Sequence, residues 1–175
     1  MYKPREDSYL LEKYSKKFSK GKVLDVGTGT GILAEAALKS AGTKQVTAVD
    51  IDIDAIDFCK KHCDKRIRFI KSDLFSNVRG KFDTIIFNPP YLPDEKKVKI
   101  IDPALYGGKH GWEIIERFFK SARDYLNEDG IILILFSSHT KKRKVDNIIK
   151  KAGFKFKQLD KIRAFFEDLF VYVCY

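Results

Sequence analysis

Lys22-Val23-Leu24-Asp25-Val26-Gly27-Thr28-Gly29-Thr30-Gly31 decides the fold of this 175-residue chain. Lys22–Val26 reads as a strand. Three glycines at alternating positions follow, and then Ile32-Leu33-Ala34-Glu35-Ala36-Ala37-Leu38 reads as a helix. A glycine-rich turn between strand and helix lets a ligand approach the backbone closely. Gln45–Val49 reads as a second strand and ends in Asp50, about 23 residues after Gly27. That is close to the roughly 20-residue spacing at which an acidic residue reaches a ribose diol. A third strand, Ile67–Ile70, runs into Lys71-Ser72-Asp73. Three successive strands thus place glycines or a carboxylate at their C-terminal ends, where open α/β sheets bind ligands.

Working outward, Phe82–Phe87 is another short apolar run, and it ends in Asn88-Pro89-Pro90-Tyr91. Two prolines fix φ and remove two backbone donors, so the turn is stiff. The Asn88 side-chain oxygen and the Pro89 carbonyl can then act as two acceptors side by side. Two such acceptors suit a planar –NH2 group, on an amide or an exocyclic amine. Pro90 stiffens the turn, and Tyr91 supplies a flat face. The four residues Asn88, Pro89, Pro90 and Tyr91 are the catalytic candidates.

With Asp25 two residues before Gly-x-Gly-x-Gly, the chain resembles the class I S-adenosylmethionine-dependent methyltransferases. The resemblance implies that Gly27, Thr28, Gly29 and Gly31 wrap the methionine part of S-adenosylmethionine. Asp25 would hold its ammonium, directly or through water. Asp50 would take the ribose hydroxyls, and Asp73 with Leu74 the adenine. Ser8, Ile51 and Asn88 complete the implied cofactor contacts.

The opening Tyr2-Lys3-Pro4-Arg5-Glu6-Asp7-Ser8-Tyr9-Leu10-Leu11 narrows the resemblance. So do Ala104–Gly111 and Glu113–Phe119. Together they are similar to the HemK-type glutamine methyltransferases of the archaeal and eukaryotic branch, from Tyr2 to the last strand. Ser8 stands where that branch commonly has Thr, and Arg5 where it commonly has a small residue. Bacterial HemK enzymes carry an extra N-terminal helical domain, so the chain is expected with the short branch. The implied activity is methylation of the glutamine in the Gly-Gly-Gln motif of a class-1 translation release factor. The implied partner is a small zinc-binding activator subunit at an edge strand near Arg66–Ile70. The competing acceptors are adenine N6 of DNA or RNA, whose amine is also planar, and another protein.

Length fits one domain over residues 1–175, able to bury roughly 70% of its unfolded surface. No apolar run approaches the roughly 20 residues that span a bilayer, and no signal core follows the start. An odd count of three cysteines argues against a disulfide framework, and a cytoplasmic location is expected. The net charge is +10, with 34 basic against 24 acidic residues. A solvated lysine-rich surface explains it, as would an acidic or RNA-bound partner.

The remaining elements alternate. Asp7 or Ser8 caps a first helix, and Asp54 opens a helix over Ala55–His62. A helix from Gly111 to Leu126 stops near Asn127-Glu128-Asp129-Gly130, before a central strand Ile131–Phe136. A helix over Lys142–Lys151 precedes two strands near Phe154–Leu159 and Leu169–Cys174. The fold class is therefore α/β: a Rossmann-like, mostly parallel sheet with helices on both faces and an antiparallel C-terminal hairpin. The resemblance makes it seven-stranded. The irregular stretch Leu92–Gly111 follows the reactive turn and reads as a lid or substrate guide, with simple disorder as the alternative and Gly107-Gly108 as hinge or close-approach positions. Cys59, His62 and Cys63 share one helical turn but lack a second ligand pair, so no metal site is expected. His110 is a minor candidate for a general base. Lys141–Lys144 reads as a solvated helix start, with phosphate binding as the alternative.

Overall fold

The computed structural model describes residues 3–93, 105–164 and 166–175. Among the described residues, five α-helices and seven strands alternate, except that β3 is followed by β4 and β6 by β7. Helix α1 (Glu6–Phe18) leads into β1 (Lys20–Val26), α2 (Ile32–Leu38), β2 (Gly42–Asp50), α3 (Ile53–His62) and β3 (Arg68–Lys71). Strand β4 (Phe82–Phe87) precedes α4 (Glu113–Ala122), β5 (Leu126–Ser137) and α5 (Lys142–Lys151). The hairpin β6 (Phe156–Ala164) and β7 (Glu167–Cys174) closes the chain.

The strands form one sheet in the order β3-β2-β1-β4-β5-β7-β6. Strands β3 to β5 pair in parallel, and β7 runs antiparallel to both β5 and β6. Alternate residues of the central strands feed two separate cores, as the period of two requires. Leu24, Ile85, Phe87, Ile132 and Ile134 pack with Ile115, Phe118 and Ile149 of α4 and α5. Val23, Ile86, Leu133 and Leu135 pack on the other face with Leu11, Tyr14, Leu33 and Ala34 of α1 and α2. The Tyr14 hydroxyl also donates to Asp160 at 2.7 Å, fastening α1 to β6.

Several boundaries differ from the sequence reading. Helix α1 starts at Glu6 with Arg5 in the cap position and no side-chain cap, so neither Asp7 nor Ser8 is the cap. Both lie inside the first turn and are buried, turned toward the sheet. The cap of α3 is Asp52, which accepts from the Asp54 N–H at 2.9 Å; Asp54 is the first-turn acid. Helix α4 ends at Ala122, and a 3₁₀ turn over Arg123–Tyr125 carries the chain into β5. Asn127–Gly130 lies inside β5 rather than in a loop. The pairing with β4 shifts between Phe82 and Thr84 to absorb the extra residues, and Asn127 donates to Asp83 at 2.7 Å there. Strand β6 extends to Ala164, held by its register with β7.

Candidate active site

Strand order reverses between β1 and β4: from β1 the chain builds outward through β2 to β3, then returns to place β4 on the other side. Such a switch point opens a crevice at the carboxyl ends of the strands. Val26 is the register partner of Phe87. The Gly27 turn and the Asn88 turn therefore leave the sheet side by side, although about 61 residues separate them in sequence.

The glycine turn is stitched to the end of β2. The N–H groups of Gly27 and Thr28 both donate to the Val49 carbonyl, at 2.8 and 3.0 Å. The Gly29 N–H donates to Asp50 Oδ2 at 2.8 Å, while Asp50 Oδ1 accepts from the Asp52 N–H at 2.9 Å. A carboxylate has about four lone-pair sites, so Asp50 keeps capacity for a ligand after these two bonds. Gly31 has φ 85°, and a Cβ built there would meet Cys63 Sγ at 2.6 Å and Cys59 Sγ at 3.3 Å. The two thiols pack beneath the turn and donate to the Gly29 and Thr30 carbonyls. Burial pushes both thiols above their usual range, so they are neutral packing groups. Among the described residues no cluster of three metal-ligating side chains occurs.

Asp25 is fully buried behind the turn, where its Oδ2 accepts from Thr28 Oγ1 at 2.7 Å. Its Oδ1 is buried with no hydrogen-bond partner. Burial first, and the neighbouring Asp50 charge, push its carboxyl up to about 7 despite the Thr28 bond. A buried carboxyl with an orphaned oxygen near the Asp50 carboxylate suits a cationic ligand group. At the end of β3, Asp73 Oδ2 accepts from Arg117 Nη2 of α4 at 2.8 Å. Leu74 takes φ 49°, a rare conformation for a residue with a side chain, and Ser72 Oγ donates to its carbonyl at 2.9 Å.

On the β4 side, Asn88 Nδ2 donates to Asp7 Oδ2 of α1 at 2.9 Å. Asn88 Oδ1 is buried without a partner. The turn is clamped from outside by the segment that returns at Leu105. Leu92 N–H donates to the Leu105 carbonyl at 2.9 Å, and Gly107 N–H to the Leu92 carbonyl at 3.0 Å. A Cβ on Gly107 would meet the Pro90 carbonyl at 2.5 Å, and one on Gly111 the Tyr91 carbonyl at 2.3 Å. Gly107 is thus a close-approach position, as the sequence reading allowed. The lid expectation for Leu92–Gly111 falls largely on residues 94–104, outside the described residues.

These turns surround an open cavity of about 1040 Å³. Ser8, Gly27, Thr28, Gly29, Asp50, Ile51, Asp73, Leu74 and the whole Asn88–Tyr91 turn line it. Asp25 and Gly31 are not among the lining residues and stand behind them. His110 bonds Glu113 at 2.7 Å, stacks on Trp112 and does not line the cavity. Lys142 pairs with Asp146 and Lys144 with Glu116, while Lys141 and Arg143 of this basic run are exposed. Sequence reasoning missed Arg117 and Ile114 on α4, and Ala164, Glu167 and Leu169 at the β6–β7 end, which all line the cavity. The α4 pair was findable in principle. Ile115, Phe118, Phe119 and Ala122 mark the buried face, which leaves Ile114 and Arg117 on an adjoining one.

Residues 7–165 match the model of the methyltransferase small domain. The chain belongs to that family. A Methanocaldococcus jannaschii protein, by name a protein N5-glutamine methyltransferase, is 41% identical over 98% of this chain and 89% of its own. A release factor glutamine methyltransferase of Rhodopirellula baltica is 37% identical over 66% of the chain, which spans only 44% of that longer protein. Among solved structures, the E. cuniculi Mtq2–Trm112 complex, responsible for methylation of the eRF1 termination factor, superposes with TM-score 0.80. It is 25% identical, over 99% of this chain and 96% of that one. DhpI, solved with SAH, shares the fold at TM-score 0.68 and 16% identity. The seven-stranded sheet is the class I methyltransferase fold, and the chain is a methyltransferase. No helix among the described residues is long and apolar enough to cross a membrane.

Proposed function

We propose that this methyltransferase methylates the side-chain amide nitrogen of a glutamine, and that the glutamine is the one in the Gly-Gly-Gln motif of a class-1 release factor. The observation that carries the reading is the orphaned, buried Asn88 Oδ1 on a rigid turn next to the glycine turn. A buried acceptor without a partner costs free energy that a bound N–H donor recovers. The substrate assignment is supported by the names of the archaeal and bacterial relatives and by the structural neighbour that modifies a termination factor.

S-adenosylmethionine supplies an electrophilic methyl group. In the proposed arrangement Gly27, Thr28 and Gly29 hold its methionine portion from in front, with Gly31 and Asp25 supporting the turn from behind. Asp50 accepts from the ribose hydroxyls. Asp73, steadied by Arg117, and Leu74 take the adenine, with exposed Ile51 covering one ring face. Ser8 closes the methionine end.

A glutamine amide nitrogen is a poor nucleophile because its lone pair is delocalised into the carbonyl. Asn88 Oδ1 and the Pro89 carbonyl accept its two N–H bonds and aim the lone pair at the methyl carbon. Proximity and alignment supply much of the acceleration. The same acceptors favour the positive charge that develops on nitrogen. Tyr91 packs on the planar amide, and Pro90 holds the turn. With the cofactor bound, the nitrogen–carbon bond would form as the sulfur–carbon bond breaks, and the acidic N–H of the product would then lose its proton to water.

The structural neighbour is a complex with Trm112, which supports a small activator subunit for this chain also. β3 ends the sheet, with exposed Ile53 and Phe58 on the α3 beside it. Its open edge, near Arg66–Ile70, suits strand addition by such a subunit.

The test is transfer of labelled methyl from S-adenosylmethionine, with and without the activator. The acceptors are a class-1 release factor, the same factor with its motif glutamine replaced, and bulk RNA and DNA. Label confined to the intact factor is the expected result. Label on nucleic acid would move the acceptor to an exocyclic adenine amine and overturn the glutamine reading.

A further inference from the structure

We infer that Asp7 decides which end of the Asn88 side-chain amide faces the methyl acceptor, and so acts as a positioning residue for the transfer. The inference rests on the reading of Asn88 as the residue that holds the acceptor amide.

The two ends of an asparagine amide have nearly the same shape and opposite hydrogen-bonding character. A half-turn about the last side-chain bond exchanges them. Only one orientation presents oxygen to an –NH2 group; the other sets donor against donor. Something outside the turn must choose between them, because Pro89 and Pro90 fix the backbone and leave this side-chain rotation free.

Asp7 makes the choice. Its Oδ2 lies 2.9 Å from Asn88 Nδ2, and it is only 3% exposed. A carboxylate accepts and cannot donate, so the nitrogen end of Asn88 must face it. Reversing the amide would set Asn88 Oδ1 against a carboxylate oxygen in a buried place, where unpaired acceptors are expensive. With the nitrogen committed, Oδ1 is left as the free, buried acceptor.

The carboxylate is itself held. Asp7 sits in the first turn of α1, whose unsatisfied N–H groups favour negative charge. Ser8 Oγ donates to Asp7 Oδ1 at 3.4 Å. The opening of the chain and the reactive turn are 81 residues apart, and this bond joins them directly. A purely structural role would stabilise α1 against the sheet without biasing the amide.

The test compares Asp7→Leu and Asp7→Asn with the unaltered chain, measuring S-adenosylmethionine Kd, single-turnover methyl transfer to the release factor, and the Asn88 side-chain N–H signals by NMR. Those signals are identified by their absence in Asn88→Ala. Loss of one buried charge-assisted bond predicts that Asp7→Leu slows transfer about 10- to 100-fold. Cofactor Kd stays within about threefold. Asp7→Asn keeps more activity, because its carbonyl oxygen can still accept from Asn88. The Asn88 N–H signals of the unaltered chain are shifted and protected from exchange, and Asp7→Leu removes both properties. Unchanged signals in Asp7→Leu would overturn the inference. So would parallel loss of cofactor binding and transfer, which would make Asp7 structural. An unaltered chain that labels no release factor, yet shows Asp7-dependent Asn88 signals, would sink the substrate reading and leave the orientation standing.

Discussion

Val26 of β1 and Phe87 of β4 are register partners at the centre of the sheet. Each is the last residue of its strand, each is buried to 1% exposure, and each hands the chain to a turn of the site. The glycine turn and the Asn88 turn therefore share one rigid base. Phe87 also stacks on Phe118 of α4, with ring centroids 4.4 Å apart, and lies 4.0 Å from where a Gly27 Cβ would stand.

Truncating that base should loosen both turns together. Phe87→Ala removes a fully buried aromatic, which typically costs about 3–5 kcal/mol in cores that relax poorly. Urea unfolding should show a loss of that size, with Phe87→Leu losing markedly less. A change below about 1 kcal/mol for the alanine variant would mean that the β1–β4 junction is not the packed base described.

Gly31 makes a second prediction, because two causes can be separated there. Alanine at φ 85° carries about 1–2 kcal/mol of left-handed strain. Overpacking against Cys63 Sγ, 2.6 Å from the added carbon, adds about 1–3 kcal/mol. Gly31→Ala should therefore lower both thermal stability and S-adenosylmethionine affinity. Cys63→Ala in the same chain should restore the overpacking part and leave the strain. A double variant no more stable than Gly31→Ala would show that the thiol contact contributes nothing.

The alternation of strands and helices was legible because Val23–Val26, Phe82–Phe87 and Ile131–Phe136 are short, mostly apolar runs bounded by glycine, proline or charge. The two turns that the fold brings to one cavity were legible too, since Gly27–Gly31 and Asn88–Tyr91 are each contiguous along the chain. What local pattern could not supply was neighbourhood. Nothing within β4 says that it lies beside β1, or that α1 folds back to bring Asp7 to Asn88. Arg117 reads as an ordinary surface residue of α4 until β3 delivers Asp73 to it. Asn127–Gly130 reads as a loop because its residues disfavour strands, and only pairing with β4 draws it into β5.

Asp25 gives the site a pH dependence of defined sign. Its carboxyl lies at about 7 in the folded chain against an ordinary value of 3.8, chiefly through burial. Between those values the folded chain binds a proton that the unfolded chain has lost, so this group's contribution to stability is lost as pH rises through that window. Asp25→Asn should flatten this component of the pH–stability curve of the ligand-free protein. In the proposed arrangement the cofactor's ammonium, seated against the turn in front of Asp25, favours the charged carboxylate. S-adenosylmethionine affinity should then tighten from about pH 6 to about 7.5, below the pKa of a typical α-amino group. Calorimetric titration of the unaltered chain and of Asp25→Asn measures this. An equally steep pH dependence in Asp25→Asn would assign it to another group.

The measurement that bears most directly on the chemistry is single-turnover methyl transfer by Asn88→Ala, alongside its affinity for S-adenosylmethionine. The orphaned Asn88 oxygen is placed here as the acceptor that orients the reacting nitrogen. Transfer should fall by about two to three orders of magnitude, as when a transition-state hydrogen-bonding group is removed, while cofactor Kd changes little. Equal loss of binding and transfer, or transfer that survives the substitution, would contradict the account.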